Sequence, residues 1–199
     1  MNSTGILSRR TWVIGAVIAL TISLLTAVGS SPATAYPPGQ SLTLAATHVQ
    51  VLRGKTVGFR ALHASPGKVR FYFGDETKTV NVKSDYSTPW VYFTARYHKT
   101  YWVRAVELGD TKAVALKKLY VPRLILPANA PLDARRFIEL RNARPGAPIS
   151  MTVSRRTFYG TVGADALARV AFRAKARGWQ AVRVTVGTLV LPTRYIWIY

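Results

Sequence analysis

The strongest constraint in this chain is a phrase used twice. "HASPGKVRFYF" begins at His63, and "NARPGAPISMTV" begins at Asn142, 79 residues later. Each combines a polar lead, a Pro-Gly turn and a run in which apolar residues fall at every second position. Val69, Phe71 and Phe73 alternate with Arg70 and Tyr72, and Ile149, Met151 and Val153 alternate with Ser150 and Thr152. Successive side chains of a strand point to opposite faces, so this period predicts strands with one face buried.

The likeness extends from Val57–Ala105 to Arg136–Val184, with one residue inserted after Gly146 and one removed after Asp165. Pro66/Pro145, Gly67/Gly146, Val82/Val162, Asp85/Asp165, Val91/Val170, Phe93/Phe172, Val103/Val182 and Arg104/Arg183 coincide, and apolar positions match apolar positions between them. Self-similarity at a fixed period predicts repeated structural units. "GADALARVAFRAKARG" from Gly163 has helix-favouring alanines, but its counterpart "SDYSTPWVYFTARYHK" carries Pro89 and β-favouring aromatics, so both are expected to be strands. The predicted fold is all-β: two tandem antiparallel sandwiches, residues 36–122 and 123–199. They meet at the stiff, proline-flanked stretch "LYVPRLILP". Units of this size bury little surface, and the chain has no Cys to staple them, so packing alone has to hold the fold.

Residues 1–35 are expected to form a signal peptide. Arg9 and Arg10 precede the apolar run "TWVIGAVIALTISLLTAV", and Ala33-Thr34-Ala35 supplies a cleavage pattern. "SRRTWV" resembles a twin-arginine signal but lacks its lysine, so the general secretory route stays open, and an uncleaved membrane anchor is the competing reading. The expected location is therefore secreted or attached to the cell envelope.

From Val49 onward, "VQVLRGKTVGFRA", the two Pro-Gly turns, the turns at Ser84-Asp85 and Ala164-Asp165, and the pair "YWVRA"/"QAVRV" resemble bacterial immunoglobulin-like domains. The likeness is to tandem copies in secreted proteins of Gram-positive, Arg/Ala-rich organisms. It covers roughly residues 44–199 and implies the fold and an extracellular setting. It implies no single activity, since such domains serve as adhesion modules, spacers and ligand binders.

Catalytic chemistry finds no footing. There is no G-x-S-x-G, and His48, His63 and His98 lack the partners of a helix-borne metal site. Asp75-Glu76 falls on a hairpin turn, and Asp85 and Asp165 are explained as turn caps. No enzyme activity, metal or cofactor is expected.

Charge does point to a partner. The chain holds 28 Lys+Arg against 8 Asp+Glu, a net charge of +20. The excess is shared: 13 cations against 5 acids in 36–122, and 13 against 3 in 123–199. Such a balance favours anionic partners, here an envelope polymer or acidic glycan. Peripheral membrane association and a protein partner taken up at a strand edge are alternatives, and nucleic acid is not the expected partner. Oligomeric state is left open.

Strand phase sends Arg70, Tyr72, Trp102 and Arg104 outward from the third and sixth strands of the first unit, giving a basic-aromatic patch for stacking a sugar ring or holding an anion. A competing reading packs this face against the second unit. The second unit contributes Arg169, Arg173, Lys175 and Arg177 as a basic run, and Arg183 on a face that lacks the aromatic part, with Trp179 just beyond the run. In the closing "LPTRYIWIY", Tyr195, Trp197 and Tyr199 are expected to share one face of a docked final strand.

Overall fold

The computed structural model describes residues 41–109 and 112–199. The signal segment, its cleavage point and the anchor alternative lie outside the described residues. Among the described residues there is no helix, and sixteen strands run in order. The first seven are β1 (Thr43–Ala46), β2 (Thr56–Leu62), β3 (Lys68–Phe73), β4 (Glu76–Asn81), β5 (Val91–Thr94), β6 (Thr100–Glu107) and β7 (Val114–Tyr120). They are followed by β8 (Arg123–Ile125), β9 (Asn129–Ala130), β10 (Arg135–Arg141), β11 (Pro148–Val153), β12 (Arg156–Thr161), β13 (Leu167–Arg173), β14 (Gly178–Val186), β15 (Leu189–Val190) and β16 (Arg194–Ile198).

The pairing repeats. Sheet β1-β2-β5 shares one hydrophobic core with sheet β4-β3-β6-β7, and sheet β8-β10-β13 shares another with β12-β11-β14-β16. Strands β8, β10, β11, β12, β13, β14 and β16 thus reproduce the partners of β1 to β7, with β9 and β15 added. This is an antiparallel, immunoglobulin-like sandwich in which the fourth strand joins the sheet of the third and sixth, where the constant-type arrangement puts it beside the fifth.

The backbone repeats as well. His63 and Asn142, the residues that open the two phrases, are both left-handed at φ 56°. Tyr86 and Ala166 are left-handed too, at φ 57° and 62°, and their carbonyls accept from Ala64 N and Ala143 N at 2.9 and 3.2 Å. Gly67 and Gly146 follow their prolines at φ 135° and 75°, where a Cβ would be strained. Asp85 Oδ1 accepts from Ser87 N at 3.1 Å, and Asp165 Oδ1 from Leu167 N at 3.1 Å, the capping expected of both.

Within this shared frame the two cores are filled differently. In the first, Phe73 stacks on Phe93 at 5.1 Å and on Tyr101 at 4.4 Å between ring centroids. Each such pair contributes about 0.5–1.5 kcal/mol beyond area burial. Tyr101 Oη accepts from Tyr97 N at 2.9 Å, four residues upstream, which makes a tyrosine corner at the start of β6. In the second core aliphatic side chains dominate: Ile138, Leu140, Met151, Val182, Ile196 and Ile198 are all fully buried. Gln180 stands where the repeat puts Tyr101, and its Nε2 donates to the Ala176 and Arg177 carbonyls at 3.4 Å. The corner is kept by a side chain with no ring.

Only Val121 and Pro122 separate β7 from β8, and Val121 is fully buried. Leu52, from the loop before β2, packs against the second core. Gln50 reaches across the joint with both ends of its amide. Its Nε2 donates to the Val186 carbonyl at 3.1 Å, and its Oε1 accepts from Arg144 N at 2.7 Å. The second Pro-Gly turn is therefore held by the first sandwich. Asn142 Nδ2 adds a bond to the His98 carbonyl at 3.1 Å.

Two predictions follow from the turns. The β3–β4 loop is Gly74-Asp75 with Gly74 at φ 57°, whereas the equivalent β11–β12 loop, Ser154-Arg155, has φ 49° and 67° at two residues with side chains. That is a type I′ turn, for which Asn-Gly is preferred. Relief of the left-handed strain predicts that S154N/R155G raises stability by about 1 kcal/mol, measured by urea denaturation. Separately, the Ser87 hydroxyl and amide hydrogen bonds hold the Asp85 carboxyl below its ordinary value of 3.8. A lowered folded value means the cap's contribution is present above the ordinary value and lost as pH falls through the folded one. Asp85→Asn keeps the acceptor and removes the titration, so its melting temperature is expected to fall less below pH 4 than that of the parent protein.

Candidate binding faces

The outward face of β4-β3-β6-β7 is set by register. Tyr72 lies directly across from Arg104, Arg70 across from Val106, Arg104 across from Leu116 and Trp102 across from Lys118. The Arg104 guanidinium sits 4.3 Å from the Tyr72 ring centroid, and the Lys118 ammonium 4.5 Å from that of Trp102. Arg70 Nε donates to Thr79 Oγ1 at 3.3 Å. Tyr72 is half-buried beneath its arginine, while Trp102 stays 58% exposed and Arg70 and Arg104 are open to solvent. The four residues expected to share a face do share it, and with that much of it in solvent the second sandwich does not cover it. The sequence reading missed Lys118 together with Val114 and Leu116, which extend the face across β7 with an apolar strip exposed by more than half.

The basic run of the second sandwich divides. Arg169 and Arg173 face outward on β13, opposite Glu139 and Arg135 of β10. The Phe137 ring between them carries the Arg169 guanidinium at 4.1 Å and that of Arg135 at 5.5 Å. Arg141 and Arg169 both reach Glu139, at 2.8 and 3.3 Å, so one carboxylate serves two cations. Arg123 extends the same face, paired in register with Arg141. Lys175 is taken out of the cluster by Asp133 at 2.5 Å, and Arg177 lies exposed in the loop before β14. Arg183 is on the other sheet of the sandwich, opposite Thr152, so it does not join the run.

The face around Arg183 also corrects an expectation: its aromatic part is present. Trp179 pairs in register with Trp197, and Ala181 with Tyr195. The two indoles are 5.4 Å apart at an interplanar angle of 59°, and they are 67% and 42% exposed. Alternation in "RYIWI" places Tyr195 and Trp197 outward while Ile196 and Ile198 are fully buried. Finding Trp179 beside them requires knowing that β16 pairs with β14, a partnership of distant segments. On its other side β16 is joined in parallel by β9, at Trp197 with Asn129 and Ile198 with Ala130, so its last turn of ladder is not a free edge.

Among the described residues no helix is long and apolar enough to cross a membrane, and no cluster of His, Cys, Asp and Glu could hold a metal ion. No protein-family model matches the chain, and no curated protein sequence does. Among solved structures it is similar to a carbohydrate acetylesterase from Xanthomonas citri, at 20% identity and a TM-score of 0.34, over 39% of this chain and 19% of the length of that one. It is similar to the fibronectin(III)-like modules of Clostridium thermocellum CbhA, at 14% identity and a TM-score of 0.32, over 78% of this chain and 93% of that one. It is also similar to the human OSCAR ligand-binding domain, at 11% identity and a TM-score of 0.42, over 79% of this chain and 96% of that one.

The contact of Arg104 with Tyr72 is expected to stabilise the face as a pair. A double-mutant cycle of Tyr72→Leu and Arg104→Ala, read by urea denaturation, should return a coupling of about 0.5–1 kcal/mol, and a coupling of zero would mean the guanidinium is free in solution.

Proposed function

We propose that this chain is a non-enzymatic binding module that associates, outside the cell, with anionic polymers of the envelope or with acidic glycans. One observation carries the reading: most cations have no carboxylate partner among the described residues, and several on the outward faces rest over aromatic rings instead. Arg104 over Tyr72, Lys118 over Trp102 and Arg135 over Phe137 keep their charge available to an incoming anion, because a ring attracts a cation without cancelling it. Four ion pairs, at Arg96, Arg141, Arg169 and Lys175, are formed among the described residues, against 26 Lys+Arg in residues 36–199. Arginine dominates the second sandwich, and its planar fork matches carboxylate and phosphate. The extracellular setting rests on the first 35 residues of the sequence.

A second reading, ring stacking on a glycan, is favoured by the Trp179–Trp197 pair, whose exposed indoles offer a platform beside Tyr195.

Both are tested by retention on immobilised polysaccharides across a salt gradient. On a carboxylated polysaccharide, retention is expected to collapse between about 0.05 and 0.5 M salt as the Debye length shortens. Retention on a neutral glucan that persists through the gradient and is lost in Trp179→Ala/Trp197→Ala would establish the second reading in its place. Absence of salt-sensitive retention on the acidic matrix overturns the first.

A further inference from the structure

Four unpaired cations gather at the joint between the sandwiches, and only Arg123 among them belongs to a face described above. A cleft of about 730 Å³ is bounded there by Arg53 and Lys55 from the loop before β2, Arg123 from β8 and Arg194 from β16. No carboxylate lines it, and none of these four cations forms an ion pair among the described residues. The volume falls within the range of ligand clefts, about 300–1,000 Å³.

The cations stand on fixed backbone. Gly54 N donates to the Ala95 carbonyl at 2.7 Å and Ala95 N to the Lys55 carbonyl at 2.9 Å, which pins the turn bearing Arg53 and Lys55. Leu52, next in sequence, is anchored in the second core. Arg123 and Arg194 are strand residues with assigned partners, Arg141 and Val182. Also lining the cleft, His98 Nδ1 donates to the Pro122 carbonyl at 2.7 Å, since that oxygen can only accept. Neither sandwich makes the cleft alone, so the doubling of the unit creates a site that one copy would lack.

The walls between the charges are apolar: Leu124, Leu191, Pro122, Pro192 and the 62% exposed ring of Tyr97. A bare inorganic anion leaves such walls wet. A chain of sugar rings bearing carboxylates fits both parts, with C–H faces against Tyr97 and the prolines and carboxylates on the guanidinium forks. An added peptide strand does not fit, because the neighbouring edge strand β8 has three residues and lies between Pro122 and Pro127. We propose that this joint cleft is the principal seat for a uronate-type acidic glycan. The proposal rests on the anionic-polymer reading above and locates it.

The test compares two variants of the full-length protein that each remove two exposed cations, Arg53→Ser/Arg194→Ser in the cleft and, as a control, Lys68→Ser/Arg136→Ser outside both the cleft and the face residues named above. Tetragalacturonate and inorganic tripolyphosphate serve as probes in titration calorimetry, with melting temperature confirming that both variants are folded. The cleft variant is expected to bind tetragalacturonate about tenfold more weakly than the parent, and the control variant within about twofold of it, at equal net charge. Equal losses in both variants, with the parent still retained on the acidic matrix, overturn the cleft and leave the general reading standing. Tripolyphosphate binding the parent as tightly as tetragalacturonate overturns the sugar-ring part of the assignment. A parent protein that binds neither probe, yet is retained on the matrix, also overturns the cleft; loss of retention as well ends both.

Discussion

Everything presented on the outside of this protein depends on which rows of side chains are committed to the inside. Val69, Phe71 and Phe73 are buried almost completely, and so are Val103 and Ala105 across from them. With those rows fixed, Arg70, Tyr72, Trp102 and Arg104 have only the opposite face to occupy. A slip of one residue in β3 would bury the Arg70 guanidinium and expose Phe71 and Phe73, and one in β6 would bury that of Arg104, exchanges no sandwich of this size could sustain. The basic-aromatic character of the surface is thus enforced by the core, and the core has no covalent bond to help it.

The same dependence explains what could be read from sequence and what could not. Alternation identified the inward rows of β3, β6, β11 and β14, and the outward set Arg70, Tyr72, Trp102 and Arg104 followed. It also resolved the alanine-rich stretch that became β13, because its repeat partner carried a proline and aromatics. The pattern says which face a side chain takes and nothing about which strand lies next to it. Periodicity therefore cannot place Trp179 beside Trp197 on the face of Arg183, nor Lys118 over Trp102. The joint was hidden for a related reason. Gln50 is an ordinary polar residue until Val186 and Arg144, both more than 90 positions away, are brought to its amide. Nor does a sequence announce that Ser154 and Arg155 will adopt a turn normally reserved for asparagine and glycine.

The two sandwiches show how a duplicated frame can diverge without losing its geometry. The left-handed positions, the capped Asp turns and the strand partners were retained, since each is a backbone requirement. Contents differ where packing allows it: an aromatic stack fills one core and aliphatic side chains the other, and a tyrosine corner in one is matched by a glutamine in the other. The outer faces diverged furthest. One carries Trp102 with a lysine above it, while the corresponding face of the other carries two indoles in contact. High net charge adds self-repulsion that either core has to withstand. Spreading the cations over several faces, many of them resting on rings, lowers that cost relative to a single dense patch.

The two-residue connection at Val121–Pro122 has a mechanical consequence. A tether of that length, with one residue sealed in the interior and the other locked in φ, has no slack to pay out when the chain is pulled from its ends. Tension arriving along β7 passes straight into β8, while the knob of Leu52 and the amide of Gln50 resist bending at the same point. Strung in series, the paired sandwiches would transmit load as a stiff strut, with extension deferred until a sheet itself gives way.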